Sequence, residues 1–433
     1  MENNKTDKGA NKRSYAKMLK SGYFTYLLAV LTMVILPIHF NYLPPLMMVW
    51  GVFWILENYP DFNRLRNSPK VIRLIFCAFI SYYIFQVLGL FYSEDFKMGL
   101  SNSFGRLSLV LFPLLLFYPG EMIKNKVMTL LRVFTLSTAA YLVLCLGYAT
   151  YRSIEIVNGI WIFNPHPPEY AYLSYYYGSD LTVFQHPSYF AMYVILSAFI
   201  AFEAWFDNSL KIQMRALWLL LALILLISLF FLSSRAGLLA AIILIPVYFF
   251  QKLKKLNKSK LVFIGILVLL FISIPLLLKN QRVQYLYDEI LQKESIGENK
   301  EEPRVIIWKS ASKLILGNFV LGVGIGDVRD ELVKEYISRG ETEMVELKLN
   351  AHNQFVEVFL ENGVIGFFLF LIIIGLMVYA AITGKNLLYG VFILMMIIFF
   401  IFESILYRFA GVSFFSIFSL LLFYYKPAMI NTE

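Results

Sequence analysis

Residues 214–250 read MRALWLLLALILLISLFFLSSRAGLLAAIILIPVYFF. Two apolar runs, 214–232 and 236–250, flank a short turn, SSRAG at 233–237. Each run is near the roughly 20 residues that a helix needs to cross a lipid bilayer. The stretch therefore predicts two membrane-spanning helices joined by a tight turn, with Arg235 at the membrane boundary.

The rest of the chain has the same character. Of its 433 residues, 59% are hydrophobic and 15% are charged, whereas a soluble protein has about 45–50% apolar and about 25% charged residues. A water-soluble core of this size cannot hold that excess. The sequence predicts an all-α integral membrane protein of about 12 helices, over the runs 23–40, 42–57, 71–92, 99–118, 127–150, 187–206, 214–232, 236–250, 261–278, 354–382, 387–406 and 411–425.

The net charge of +9 comes largely from Lys and Arg in alternate short loops, which indicates membrane orientation rather than nucleic-acid binding. We expect both termini in the cytoplasm and the protein in an inner membrane. The expected parts are a cytoplasmic tail (1–22), helices 1–9 (23–278), a large periplasmic loop (279–353), helices 10–12 (354–425) and a cytoplasmic tail (426–433).

Two outer segments are long. The segment 150–185 carries aromatic residues that could either stack on sugar rings or pack, namely Tyr151, Trp161, Tyr170 and Tyr172. The loop 279–353 has a glycine-rich stretch at 321–327 and an amphipathic stretch, Val328 to Arg339, so we expect an ordered outer cap. The glycines lack the spacing of a nucleotide-binding loop.

Five polar residues are predicted to lie at the outer membrane face. Arg235 is in the turn described above, Arg304 begins a helix, and His352 stands where the long loop re-enters the membrane; His186 and Tyr189 open another helix at the same level. Each also has a simpler interpretation. A lone Arg can extend to the lipid headgroups or to water, and a lone His is often a structural polar residue.

Four further charges fall within or beside apolar runs. Because intramembrane charges are costly and usually face a protein cavity, we expect Arg106 and Glu361 to do so. Glu403 and Arg408 could pair with one another or help to shape that cavity, and the structural ion pair is the favoured interpretation.

Arginines and a histidine on one membrane face suit a particular chemistry. The guanidinium group binds phosphate oxygens in a bidentate manner and stays charged, and a neutral imidazole can accept a proton from a hydroxyl near neutral pH. The set fits glycosyl transfer from a lipid diphosphate to a sugar hydroxyl. No cofactor or metal is expected, because the outer aspartates Asp180, Asp288, Asp327 and Asp330 are scattered.

Several motifs together resemble the O-antigen ligase and polymerase family of bacterial envelope glycosyltransferases. They are the SSRAG turn at 233–237, Arg304 with Trp308, the GVGIG stretch at 322–326, and His352-Asn353 followed by ENGVIG at 361–366. The motif-bearing part spans roughly residues 180–412.

The resemblance implies a GT-C-like fold of twelve helices with a large periplasmic loop between helices 9 and 10. It implies a glycan donor on undecaprenyl diphosphate and metal-independent, inverting transfer. Arg235 and Arg304 match the diphosphate-binding arginines of the family, and His352 matches its proposed general base. The secondary candidates are His186, Tyr189, Arg106, Glu361 and Arg408.

The leading hypothesis is an O-antigen ligase, for which the acceptor is lipid A-core in lipopolysaccharide biosynthesis. A polymerase of the same family would use a second lipid-linked glycan as acceptor, and a related enzyme would modify protein or another envelope polymer. A flippase for lipid-linked glycans is the alternative from another class. It should carry a charged path through the bilayer, whereas here the polar residues gather at one face.

Overall fold

The computed structural model describes residues 22–58, 68–166, 174–254 and 302–426. Its helices are α1 (Tyr23–Ile38), α2 (Leu43–Asn58), α3 (Lys70–Leu88), α4 (Phe96–Gly105), α5 (Ser108–Phe117), α6 (Glu121–Asn125), α7 (Val127–Arg152), α8 (Gly178–Leu181), α9 (Pro187–Trp205), α10 (Ile212–Leu232), α11 (Arg235–Lys254), α12 (Pro303–Gly317), α13 (Val328–Arg339), α14 (Thr342–Leu347), α15 (Gln354–Thr383), α16 (Leu387–Phe402) and α17 (Phe409–Leu421). Two strands, β1 (Ile154–Val157) and β2 (Ile160–Phe163), form an antiparallel hairpin. Short 3-10 turns occupy Phe40–Tyr42, Gly89–Phe91, Ile405–Tyr407 and Leu422–Tyr424.

A helix occurs at every predicted apolar run within the described residues, while the run 261–278 lies outside them. Seven helical stretches of the described part are long and apolar enough to cross a membrane, when α4 and α5 are taken together as the stretch Phe96–Phe117. The mostly helical membrane class is thereby confirmed, and the hairpin is a departure from the expected all-α fold. The count of twelve helices and the GT-C architecture stay predictions. The two cytoplasmic tails also stay predictions, because nearly all of their residues lie outside the described ranges.

Helix α9 lies at the centre of the bundle. Its membrane-spanning stretch is 94% buried, against 33% for α10, which follows it. It packs against α7, α10, α11 and α16. The first turn of this central helix, which carries two of the predicted polar residues, is therefore enclosed by the outer ends of its neighbours. We call the end of the bundle that carries this first turn the outer end.

Two predicted continuous runs are broken. The run 99–118 is divided into α4 and α5 at Arg106, and α15 is interrupted at Gly363, whose φ of 58° and ψ of −164° are accessible essentially to glycine alone. The Arg106 guanidinium donates to the carboxylate of Glu361, and both side chains are buried. A buried ion pair thus joins the two breaks, and loss of one partner would cost about 3–5 kcal/mol.

The glycine-rich stretch 321–327 fills the break in α15. The backbone N–H groups of Val323 and Gly324 donate to the carbonyl oxygens of Leu360 and Glu361, at 2.8 and 3.1 Å. These carbonyls are left without helical partners by the break, and buried unpaired backbone groups are costly. The glycines therefore allow the two backbone segments to approach closely, because a glycine has no side chain.

The same stretch is fastened to the loop between α3 and α4. The Asp327 carboxylate accepts the backbone N–H groups of Glu94 and Asp95, both at 2.8 Å. The hydroxyl of Tyr92 donates to the carbonyl oxygen of Leu321 at 2.7 Å. Together with the observed helix α13, these contacts show that residues 302–353 are ordered and docked on the bundle, while the predicted periplasmic location of the loop stays a prediction.

Replacement of Gly322 by alanine should destabilise the protein strongly. Gly322 has a φ of +76°, and an added Cβ would lie 2.5 Å from the carbonyl oxygen of Leu360. Backbone strain and a clash with backbone atoms therefore act together. We expect a clear fall in the thermal unfolding midpoint of the detergent-purified protein.

Gly340→Ala is the matched control. Gly340 has a φ of +74°, but no atom lies within 4 Å of its added Cβ. The control should lose only the roughly 1–2 kcal/mol of left-handed strain. Equal midpoints for the two variants would contradict the role given to the glycine-rich stretch.

Candidate functional site

The carboxyl end of α16 is the point where the outer polar residues meet. The helix ends at Phe402, and Glu403 follows in an extended conformation. The Glu403 carboxylate contacts Nδ1 of His352 through Oε2 at 3.3 Å and accepts the Ser188 hydroxyl through Oε1 at 3.2 Å. One carboxylate thereby connects the start of α9, the end of α16 and the segment before α15.

Besides the contact with Glu403, the local backbone conformation and two neighbouring asparagine side chains fix the position of His352. Its φ is +45°, a left-handed conformation that a non-glycine residue rarely adopts. Its N–H donates to Oδ1 of Asn350 at 3.1 Å, and Oδ1 of Asn353 caps α15 by accepting the N–H of Phe355 at 2.9 Å. Such strain often marks functional positions.

The His352 ring presents one nitrogen to a ligand. A carboxylate beside Nδ1 favours the tautomer with the proton on Nδ1, which leaves the lone pair on Nε2. The side chain is 33% exposed. Its free nitrogen can therefore reach a substrate proton at the outer end of the bundle.

Helix α12 contacts both segments that meet here. Arg304, next to the helix-starting Pro303, donates to the carbonyl oxygen of Phe402 at 3.4 Å, and its guanidinium carbon lies 5.7 Å from the centre of the Phe402 ring. One turn later, Nε1 of Trp308 donates to the carbonyl oxygen of Ala351 at 3.1 Å. Arg304 thus contacts the residue before Glu403, and Trp308 contacts the residue before His352.

Arg235 lies at the same end of the bundle without contacting these residues. It begins α11, just after Ser233, whose φ is 54° and whose left-handed conformation closes the turn. An added Cβ on Gly237 would lie 2.9 Å from Ala191, so this helix start packs against the first turns of α9. The Arg235 side chain is exposed and makes no hydrogen bond or ion pair with the described part of the chain.

His186 and Tyr189 flank the same carboxylate. The two rings are perpendicular at 6.0 Å, Nδ1 of His186 accepts the Ser188 N–H at 3.4 Å, and the Tyr189 hydroxyl donates to the carbonyl oxygen of Ser404 at 3.5 Å. Burial lowers the pKa of His186; Glu403 opposes this change, while the positive charges of Arg408 and His352 add to it. His186 is therefore neutral at neutral pH.

The charge state of Glu403 follows from its partners. Burial alone would raise its pKa, but the hydrogen bond and electrostatic interaction with His352, the interaction with the His186 ring and the Ser188 hydroxyl together hold the pKa below its ordinary value. Glu403 is therefore a carboxylate at neutral pH. A positive charge that forms on His352 would be matched by an adjacent negative charge.

The expected Glu403–Arg408 ion pair is wrong. Glu403 pairs with His352. The 3-10 turn Ile405–Tyr407 separates the two residues and directs Arg408 away, where its side chain is exposed. Arg408 still acts on the site at longer range, because its charge lowers the pKa of His186.

Arg106 and Glu361 lie away from the His352–Glu403 contact. Both line a narrow cavity together with Glu357, Ile325 and Tyr407, among other residues, as expected for intramembrane charges. They are linked to the site through Glu357, one helical turn before Glu361.

Glu357 is a buried residue that the sequence analysis did not single out as a site residue. Its Oε2 accepts the backbone N–H of Ala351 at 3.1 Å and the Ser404 hydroxyl at 3.2 Å. It thereby holds the residue before His352 and the residue after Glu403 to one atom. A carboxylate within a hydrophobic run was the available signal. In contrast, nothing in the sequence indicated that Ser188 would bind Glu403.

Of the four aromatic residues predicted either to stack on sugar rings or to pack, two lie within the described residues. Trp161 and Tyr151 are 72% and 74% exposed, whereas Tyr170 and Tyr172 lie outside the described residues. Among the described residues, no group of three or more His, Cys, Asp or Glu side chains is arranged to hold a metal ion.

Comparison with known families adds an independent observation. The sequence model of the family described as O-antigen ligase matches residues 220–371, a segment that contains Arg235, Arg304 and His352 but not His186 or Glu403. No curated protein matches the chain. Residues 220–371 are therefore similar to the O-antigen ligase family, which confirms the resemblance to the O-antigen ligase and polymerase family of glycosyltransferase-like membrane enzymes.

Proposed function

We propose that the protein is an O-antigen ligase-type glycosyltransferase that moves glycan from undecaprenyl diphosphate to a sugar hydroxyl of lipid A-core in lipopolysaccharide biosynthesis. The observation that carries the proposal is the contact of His352 with Glu403 at 3.3 Å, next to the Phe402 carbonyl that Arg304 binds at 3.4 Å. A proton acceptor and an anion-binding group thereby flank one helix end.

His352 is the proposed general base. As the acceptor hydroxyl attacks the anomeric carbon, its proton passes to Nε2, and the Glu403 carboxylate stabilises the imidazolium through Nδ1. The neighbouring His186 is neutral because burial lowers its pKa. It therefore adds no competing positive charge before the transfer.

The arginines are proposed to hold the leaving group. The bond between the anomeric carbon and the diphosphate oxygen breaks, and its electron pair passes to the diphosphate. Arg304 and Arg235 would bind that growing negative charge in the manner of an oxyanion site. Attack opposite the departing diphosphate inverts the anomeric centre, and the arginines replace a metal ion in this role.

To bind the diphosphate, Arg304 must give up its hydrogen bond to the carbonyl oxygen of Phe402. Its present hydrogen bond is to a neutral carbonyl oxygen at 3.4 Å, a long contact. A diphosphate offers shorter, charge-assisted bonds to the same guanidinium. The exposed Arg235 has no protein partner to give up among the described residues, so both arginines are available to an anionic substrate.

We further propose that the protein resides in the bacterial inner membrane with the His352 end facing the periplasm. The excess of Lys and Arg in the opposite loops supports that orientation. The lipid-linked donor and the lipid A-core acceptor would then meet at the outer surface of the same membrane.

Deletion of the gene, followed by gel analysis of surface glycans, tests the proposed acceptor. We expect the loss of all long-chain glycan on lipid A-core and the accumulation of lipid-linked polymer. A core that bears one repeat unit would instead identify the polymerase of the same family.

The same strain tests the general base by complementation. His352→Ala should restore no long-chain glycan although the protein accumulates, because the neighbouring imidazole, His186, already uses its Nδ1 lone pair to accept the Ser188 N–H and therefore carries its proton on Nε2. His166→Ala, a histidine of the outer loop 150–185, is the matched control and should restore the wild-type pattern. Restoration by His352→Ala would remove His352 as the base.

Arg304→Lys tests the diphosphate role. Lysine keeps the charge but cannot form the bidentate bonds of a guanidinium. We expect the rate of undecaprenyl diphosphate release by the purified enzyme to fall by at least about 10²-fold, the scale for removing one donor to a developing charge.

Arg339→Lys is the control for that variant. Arg339 lies on α13 and pairs with Glu335 at 3.0 Å, away from α16. It should retain the wild-type rate. If Arg304→Lys retained it too, the diphosphate role of Arg304 would be excluded.

A further inference from the structure

The hairpin after α7 has an unusual surface. Its strands pair in the register Ile154↔Phe163 to Val157↔Ile160. Asn158 and Gly159 form the turn with φ values of 53° and 79°, the left-handed pair that a two-residue hairpin loop requires. The register assigns each side chain to one of two faces.

Both faces are apolar and exposed. On one face lie Ile154, Ile156, Trp161 and Phe163, with exposed fractions of 42%, 63%, 72% and 59%. The other face carries Val157, Ile160 and Ile162 at 44%, 66% and 43%. Glu155 is the polar strand residue, and its carboxylate accepts the side-chain N–H of Asn164 at 3.2 Å.

Water is an unfavourable medium for this surface. A hairpin that packs one face and hydrates the other alternates apolar and polar residues, and an isolated two-stranded hairpin is at best marginally stable in water. A contiguous apolar patch of this kind marks an interaction surface. The medium around the hairpin should itself be apolar.

The apolar surface continues from a membrane-spanning helix. Helix α7 ends at Arg152, two residues before β1. Its exposed stripe comprises Leu136, Val143, Leu144, Tyr148 and Tyr151, which lie on one side of the helix and lead to the hairpin. Because α7 is long and apolar enough to cross a membrane, an exposed apolar stripe on it is suited to contact lipid, and the hairpin extends the same surface.

We propose that the hairpin lies in the outer layer of the membrane, with its apolar side chains among the lipids. The aromatic residues agree with this location, because Trp and Tyr are enriched where the acyl chains meet the headgroups. Trp161 and Tyr151, the most exposed aromatic side chains of this region, are thus lipid contacts rather than sugar platforms.

A hairpin anchored in lipid would fix the depth of the neighbouring loop relative to the membrane. The Arg152 guanidinium donates to the carbonyl oxygen of Asp180 and lies 4.3 Å from the centre of the Tyr175 ring. The hydroxyl of Tyr176 donates to Thr150 at 2.9 Å. These contacts fasten residues 174–185, which lead into His186, to the base of the hairpin.

Spin labelling tests the location directly. The full chain with Cys77→Ala and Cys145→Ala is labelled at Ile160→Cys and placed in nanodiscs of phosphatidylethanolamine and phosphatidylglycerol. Collision rates with oxygen, which concentrates in lipid, and with a water-soluble nickel chelate are compared. At position 160 we expect the collision rate with oxygen to exceed the collision rate with the nickel chelate several-fold.

Ile337→Cys is the matched control. Ile337 is also an isoleucine with a high exposed fraction, 62%, but it lies on α13 of the outer cap. At position 337 the collision rate with the nickel chelate should exceed the collision rate with oxygen. Equal nickel accessibility at 160 and 337 would show that the hairpin is in water, and low accessibility to both reagents at 160 would show that protein covers it; either result overturns the proposal.

A second measurement needs no cysteine replacement. Lipids with brominated acyl chains near the headgroup should quench part of the tryptophan fluorescence of the native sequence. That quenched part should be lost in Trp161→Phe. Identical quenching of the two proteins would also overturn the proposal.

Discussion

The Glu403 carboxylate at the end of α16 is the constraint on which the rest of the site depends. A negative charge at the carboxyl end of a helix is electrostatically unfavourable, and this one is also partly buried. The contacts of the carboxylate with His352 and the Ser188 hydroxyl offset that cost. Arg304 interacts favourably with the same helix end by binding the Phe402 carbonyl oxygen. The arrangement brings a base and a cation together from segments far apart in the chain.

The breaks in the membrane helices serve that arrangement. The interruption of α15 at Gly363 frees backbone carbonyls, to which the glycine-rich stretch 321–327 binds. That contact docks the outer cap, and the cap supplies Arg304 and Trp308 through α12. On the near side of the break, Glu357 holds the segments next to His352 and Glu403. The glycine-rich stretch is therefore part of the support for the site.

Hydropathy predicted the helices because every apolar run in the described residues is long, but it did not reveal the breaks at Arg106 and Gly363. It also predicted α13 to its observed bounds, Val328–Arg339. The hairpin was missed although Asn158-Gly159 is a strong hairpin signal, because its strands do not alternate in polarity. Glu403 was assigned to Arg408 because the two are close in sequence, whereas a 3-10 turn separates them. The partners of Glu403 come from other segments, and no periodicity of one segment indicates a contact with another.

The central claim is that Glu403 orients His352 and stabilises its positive charge during transfer. Glutamine at 403 keeps the shape and can still accept from Ser188, but it removes the charge. The decisive measurement is the transfer rate of purified Glu403→Gln with lipid-linked donor and acceptor. We predict a fall in kcat of at least about 10²-fold, the scale of general-base catalysis, with little change in KM. A wild-type kcat, or a loss confined to KM, would contradict the account.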